Sequence, residues 1–187
     1  MFRAIKVRIY PNQEQAQRLI RNLGCSRWWW NYALNYCHQT YKATGKGLTQ
    51  IALNKLLPPL KKAEKTQWLG DCYSQVLQST TLNLTKAFKN FFEKKAKYPR
   101  FKSYHRKQSI QYPQYCQVVE RGVKLPQVGI VKAKIHRLFE GTLKTVTVSR
   151  TPSGKFYASL LFDTQQQYPE PIILGKIVGI AVALREA

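Results

Sequence analysis

From about residue 109 the apolar residues of this chain fall on alternate positions, whereas from residue 13 to about 96 they recur every third or fourth. A strand sends successive side chains to opposite faces and a helix repeats every 3.6 residues, so the two stretches cannot share one kind of structure. The change predicts an α+β chain whose helices and most of whose strands are segregated along the sequence. One strand stands apart at the start. In residues 2–10, Ile5, Val7 and Ile9 point one way, and Lys6, Arg8 and Tyr10 the other.

Pro11 ends that strand, and Asn12 with Gln15 forms a capping box for a helix. Ala16, Leu19, Ile20 and Leu23 follow at helical spacing, and Gly24 is the expected stop. A second helix is expected over roughly 26–43, with Trp30, Leu34, Cys37 and Tyr41 on one stripe and Trp29, Ala33 and Tyr36 on the next. So broad an apolar surface needs cover on two sides, which makes the aromatic cluster core rather than a stacking platform for bases. After TGKG, Thr49 caps a short helix through Leu57 that Pro58 and Pro59 break, and residues 60–70 connect. Asp71 is the expected cap of the longest helix, about 72–96, with Leu77, Thr81, Leu84, Phe88 and Phe91 on its stripe.

SIQYPQYCQVV, VKLP, GIVKAKI, LKTVTVSR and KFYASLLF are short strand candidates set apart by glycine or proline. TVTVSR-TPSG-KFYASLLF reads as a hairpin with Gly154 in the left-handed position of its turn. Many short antiparallel strands in so few residues suggest a small OB-like barrel. DTQQQYPEP, at 163–171, has no periodicity and reads as a linker. KIVGIAVALREA then resembles the opening strand of a buried sheet that the preceding residues do not supply.

The 187 residues carry 31 Lys plus Arg against 9 Asp plus Glu, a net charge of +22, while 44% are hydrophobic. That is too apolar for a disordered basic tail, and so large an excess calls for a polyanion, with nucleic acid ahead of an anionic membrane surface. No apolar run reaches the roughly 18 residues of a membrane span, so no membrane partner is expected. Cys25, Cys37, Cys72 and Cys116 form no CxxC pair and the three histidines are scattered, so reduced thiols, no metal and a cytoplasmic location are expected.

The densest local signal is KAFKNFFEKKAKYPRFKSYHRK, residues 86–107, with Lys86, Lys89, Lys94, Lys95, Lys97, Arg100, Lys102, Arg106 and Lys107 against one acid, Glu93. Six aromatic rings are interleaved, and cations with aromatics suit phosphates and bases. Seven of the nine charges lie in 94–107, where helix gives way to strands, which makes a groove plausible.

PNQEQAQRLIRNLGCSRWWWNYAL, LQSTTLNLTKAFKNFF, KYPRFKS, VKLPQVGIVKAKIHRLFEG and TVTVSRTPSGKFYASLLF together resemble, in order, the TnpB (OrfB) family of transposon-encoded proteins. The resemblance implies an RNA-guided DNA endonuclease related to type V CRISPR effectors. Its fold would be a wedge β-barrel from residues 1–10 and 101–162, interrupted by a helical recognition lobe at 11–100. A linker at 163–174 and the first strand of a RuvC-like domain at 175–187 would follow. In the family VGI precedes Asp-x-Gly, and that aspartate helps hold the catalytic Mg²⁺; here Ala181, Val182 and Ala183 stand at those places. A methyl group ligates nothing, so the resemblance implies no catalytic residue, no cofactor in this chain and no cleavage.

The expected partners are a guide RNA and double-stranded DNA, bound by a nucleoid-associated prokaryotic protein, as a monomer. Phosphate contacts are expected at Arg3, Lys6, Arg8, Lys132, Lys134 and Arg137 and at the nine cations of 86–107. Target-adjacent motif readout is carried over to Gln50, Asn54, Gln75, Gln78 and Gln114, whose amides suit adenine. Two alternatives stand beside this: a helix-turn-helix regulator acting without RNA, and an inactive transposon relic. Against the regulator, Trp28, Trp29 and Trp30 are poor base readers.

Overall fold

The structure is a computed structural model, and it describes residues 1–136 and 140–165. Arg137, most of the expected linker and the terminal strand with Ala181 lie outside the described residues.

Strand β1 (Phe2–Tyr10) leads into helix α1 (Gln13–Thr44) through the expected capping box, in which Asn12 accepts from the Gln15 backbone N–H and Gln15 from that of Asn12. The helix does not stop at Gly24. An interior glycine costs about 1 kcal/mol relative to alanine, but Leu19, Leu23, Cys25 and Trp29 are all buried on either side of it. Each buried side chain of that kind contributes roughly 1.5–3 kcal/mol, so packing outweighs the local break signal. The helix ends instead at Gly45, which is left-handed (φ 68°) and donates to Tyr41 O at 2.8 Å.

Helix α2 (Gln50–Asn54) is capped by Thr49 as expected. Pro58 and Pro59 do not break a helix; they open α3 (Leu57–Lys62), where their missing N–H groups have no intrahelical partner to lose. A 3-10 helix (Gln67–Asp71) fills part of the expected connector. Helix α4 (Ser74–Phe92) is not capped by Asp71, whose carboxylate meets Arg21 at 3.2 Å instead. It also ends earlier than expected, at Glu93, with Lys94 left-handed (φ 58°) just beyond. Its stripe holds at Leu77, Thr81 and Leu84, which are fully buried, and loosens at Phe88 and Phe91, which are half-buried.

The strands are β2 (Gln108–Tyr112), β3 (Gln117–Val119), β4 (Gly122–Leu125), β5 (Gly129–Ala133), β6 (Thr142–Arg150) and β7 (Phe156–Asp163). SIQYPQYCQVV is thus two strands, parted at Pro113, which has no N–H for a ladder. The β6–β7 hairpin turns at TPSG with Gly154 left-handed (φ 81°). Among the described residues all pairings are antiparallel, in one open sheet ordered β2-β6-β7-β1-β5-β4-β3.

The edge strands β2 and β3 are neighbours in sequence, and this forces curvature. Across a flat seven-stranded sheet they would lie about 29 Å apart at about 4.8 Å per strand, yet the five residue steps from Tyr112 to Gln117 reach at most about 18 Å. The sheet therefore curls, its two edges brought towards each other without pairing. Gly122 serves the tight part of that curl, since a Cβ there would lie 2.2 Å from Val131 O.

The register sorts the faces. Ile110, Val148, Ala158 and Val7 lie in one cross-strand row, all buried. Gln111, Thr147, Ser159 and Lys6 form the next row, on the opposite face. The buried residues of sheet and helices make one cluster, in which Trp29 donates to Thr81 Oγ1 at 2.9 Å and Asn22 to Tyr112 Oη at 3.1 Å. The expected burial of the aromatic helix holds at Trp29, Trp30, Ala33, Leu34 and Cys37 and fails at Tyr36 and Tyr41, which are exposed.

Candidate nucleic-acid interface

Residues 93–107 form no helix or strand, yet part of this segment is held to one face of α1. Trp30 Nε1 donates to Arg100 O at 3.0 Å. Asn31 clamps Lys102 from both sides, donating from Nδ2 to its carbonyl at 3.0 Å and accepting its N–H at Oδ1 at 2.7 Å. Arg27 donates to Gln108 Oε1 at 3.1 Å, and its guanidinium lies 5.0 Å from the Tyr104 ring centre. Positions 27, 30 and 31 are i, i+3 and i+4, neighbours on one helical face, so a single side of α1 fixes the path of residues 100–108.

The result is a cleft of about 250 Å³ whose lining includes Arg27, Arg100, Lys102, Arg106 and Lys107 and no acid. Among the described residues none of these five meets a carboxylate within 4.0 Å. Lys102 is exposed as a residue, but its ammonium lies 4.0 Å from the Trp30 ring centre. Loss of water there lowers its pKa to about 8, against the opposing pull of the indole face on the cation. Phe101 and Tyr104 are both exposed beside the cleft, Phe101 in its lining and Tyr104 with Arg27 over its ring and His105 at its edge. The arrangement can hold an oxyanion with several positive groups at once.

The other half of the basic run is placed differently. Lys89 and Lys95 both meet Glu93, at 3.7 and 2.7 Å, while Lys86, Lys94 and Lys97 are exposed beside the end of α4. An apolar groove of about 510 Å³, lined by Cys37, Tyr41, Leu48, Phe88, Phe91 and Tyr98 among others, adjoins them.

The strand cations form a second patch on the outer face of the sheet. Lys6 lies over the Tyr157 ring (4.8 Å) and Arg8 over Tyr10 (5.1 Å). Lys132 is opposite Tyr10, and Lys134 N donates to Arg8 O at 3.3 Å. Arg3, also on β1, is half-buried.

The five amide residues divide by element. Gln50 and Asn54 are on α2, which packs against α4, the helix of Gln75 and Gln78. Gln114 is exposed in the β2–β3 loop, and no hydrogen bond links it to the other four. Asn54 Oδ1 is buried without a partner. Arg27, Trp30 and Asn31 were missed from sequence; their shared helical face was visible there, but not what it faces.

No described helix is long and apolar enough to cross a membrane, and among the described residues no three His, Cys, Asp or Glu side chains gather into a metal-holding group.

A family model described as "Helix-turn-helix domain" matches residues 1–46, which here fold as β1 and the unbroken α1. The chain is 31% identical, over 95% of its length, to a protein of Escherichia coli (strain K12) named "Putative RNA-guided DNA endonuclease InsQ", and 35% identical, over 85%, to a "Putative RNA-guided DNA endonuclease" of Streptomyces pristinaespiralis. It spans 45% and 41% of those two relatives. A "Virulence protein VsdF" of Salmonella dublin is 35% identical over 57% of the chain and is itself covered over 98% of its length. With its motifs in family order and these relatives, the chain belongs to the TnpB (OrfB) family.

Proposed function

We propose that this chain binds a structured guide RNA and the DNA beside its target, and that it does not itself cut DNA. The observation that carries the reading is the cleft on α1, where Arg27, Arg100, Lys102, Arg106 and Lys107 converge without a carboxylate. Like charges are costly to hold together unless an anion joins them, and a phosphodiester backbone supplies such anions in series. The relatives' printed names support RNA as guide and DNA as target. The curled sheet, with Lys6, Arg8, Lys132 and Lys134 on its outer face, serves as an OB-like wedge. Gln50, Asn54, Gln75, Gln78 and Gln114 remain the proposed readers of the target-adjacent motif. The absence of cleavage rests on Ala181 in the place of a metal-binding aspartate. A reader acting without RNA is less well supported, because α1 has no turn at Gly24 to set off a recognition helix.

The test is purification of the full chain with its bound RNA, sequencing of that RNA, and incubation of the complex with a matched duplex and Mg²⁺. A defined co-purifying RNA, DNA binding that depends on it, and intact DNA are expected. No enrichment of any RNA overturns the guide reading, and RNA- and metal-dependent cuts overturn the loss of cleavage.

A further inference from the structure

The cationic cleft does not end at Lys102. A second, polar cavity of about 200 Å³ continues it, sharing Ser26, Lys102 and Ser109 and lined further by Thr80, Asn83, Ile110, Gln111 and Thr147. Together the two reach the lower range of small-ligand clefts, roughly 300–1,000 Å³. In the polar half, Asn83 Nδ2 donates to Gln111 Oε1 at 3.4 Å, joining α4 to β2. That bond uses one donor and one acceptor, and leaves Asn83 Oδ1 to accept and Gln111 Nε2 to donate side by side. Turning both amides over leaves the same complement. The hydroxyls of Ser109 and Thr147 likewise have no hydrogen-bond partner among the described residues.

The register extends this seat across the sheet. Gln111 is opposite Thr147, Thr147 opposite Ser159 and Ser159 opposite Lys6, all on the outer face. Ser109 similarly leads through Ser149 and Tyr157 to Arg8. Three strand spacings, about 14 Å, therefore separate the amide pair from cations on its far side, while Lys102 stands on its near side.

We infer that this groove seats one adenine of the bound nucleic acid, its N6 amine and N7 on the Asn83–Gln111 amides, with flanking phosphates at Lys102 and at Lys6 and Arg8. An adjacent donor and acceptor match the N7 edge of adenine, whereas guanine offers two acceptors there. The assignment rests on the nucleic-acid reading above and adds a base-specific seat to it.

The experiment is fluorescence anisotropy of the full chain with short labelled oligonucleotides as single-stranded RNA, single-stranded DNA and duplex DNA, each carrying adenine, guanine or 7-deazaadenine. Adenine should be preferred by roughly ten-fold, the order of one good bidentate contact. The arm in which the preference appears identifies the strand that occupies the groove. The preference should vanish with 7-deazaadenine and in Asn83→Ala and Gln111→Ala, while the salt slope stays unchanged. Asn83→Asp and Gln111→Glu keep side-chain size and should abolish the preference too, at an unchanged thermal midpoint. Equal affinity for all bases, or a preference that survives in these variants, overturns this seat alone. A wild type that binds no oligonucleotide overturns it together with the reading it rests on.

Discussion

The basic run from Lys86 to Lys107 is continuous in sequence and divided in space. Its second half, Arg100 to Lys107, is tied to α1 by Trp30 and Asn31 and gathers into a cleft with no acid in its lining. Its first half trails off the end of α4, where Glu93 meets Lys89 and Lys95 and the neighbouring concavity is apolar. A cation count measures attraction to a polyanion, but backbone anchoring decides whether the charges converge. Cations on a fixed path meet a phosphate without first losing the conformational entropy that free lysines lose.

The largest effect should separate the halves directly. Wild type should bind nucleic acid with a log–log salt slope of roughly −4 to −7 if six to eight phosphates are neutralised. Replacing Arg100, Lys102, Arg106 and Lys107 by alanine should remove about three units of that slope, at 0.7–0.9 per phosphate. Replacing Lys94, Lys95 and Lys97 should remove only about one and a half, because Lys95 is already held by Glu93. Titrations at several salt concentrations check this; equal losses from the two sets would erase the distinction.

A second variant tests the anchor without touching charge. Asn31→Ala deletes both hydrogen bonds to the Lys102 backbone. At about 0.5–1.5 kcal/mol net for each bond, stability should fall by about 1–3 kcal/mol, and the thermal midpoint by a few degrees for a chain of this size. The slope should also drop by about one unit, although every cation remains. An unchanged slope would mean that convergence does not depend on α1.

Parts of this were legible in sequence for a simple reason: the signals were local. Alternation in β7, with Ala158, Leu160 and Phe162 buried, needs only neighbouring residues to be read. The Asn12–Gln15 box and the Thr49 cap are equally short-range. Gly24 misled because its break signal is local while the burial that overrides it comes from α4 and β2, dozens of residues away. The cleft was half legible. Its cations are contiguous, but Arg27 and Asn31 reach it across 71 to 81 residues, and Asn83 meets Gln111 across 28. No periodicity carries such a pairing. The open curl was likewise hidden until the strand order brought β2 and β3 to opposite edges.

The smallest expected effect is the finest test of the cleft, because it depends on a single proton. The Lys102 ammonium, against the Trp30 ring in a cleft it shares with Arg27, Arg100, Arg106 and Lys107, has its pKa lowered to about 8 by loss of water. The guanidinium groups stay charged throughout. Raising the pH from 7 to 9 therefore removes one positive charge from the free cleft, and affinity should fall by about two- to five-fold, the scale of one partly exposed charge pair. Folding should respond with the opposite sign. An unfolded lysine keeps its proton to about pH 10.4, so between about 8 and 10 the unfolded chain binds more protons and this group's contribution to stability rises with pH. Lys102→Arg keeps the charge at every such pH and should flatten both trends. A binding curve that falls equally in that variant would assign the titration to another group and detach Lys102 from the phosphate.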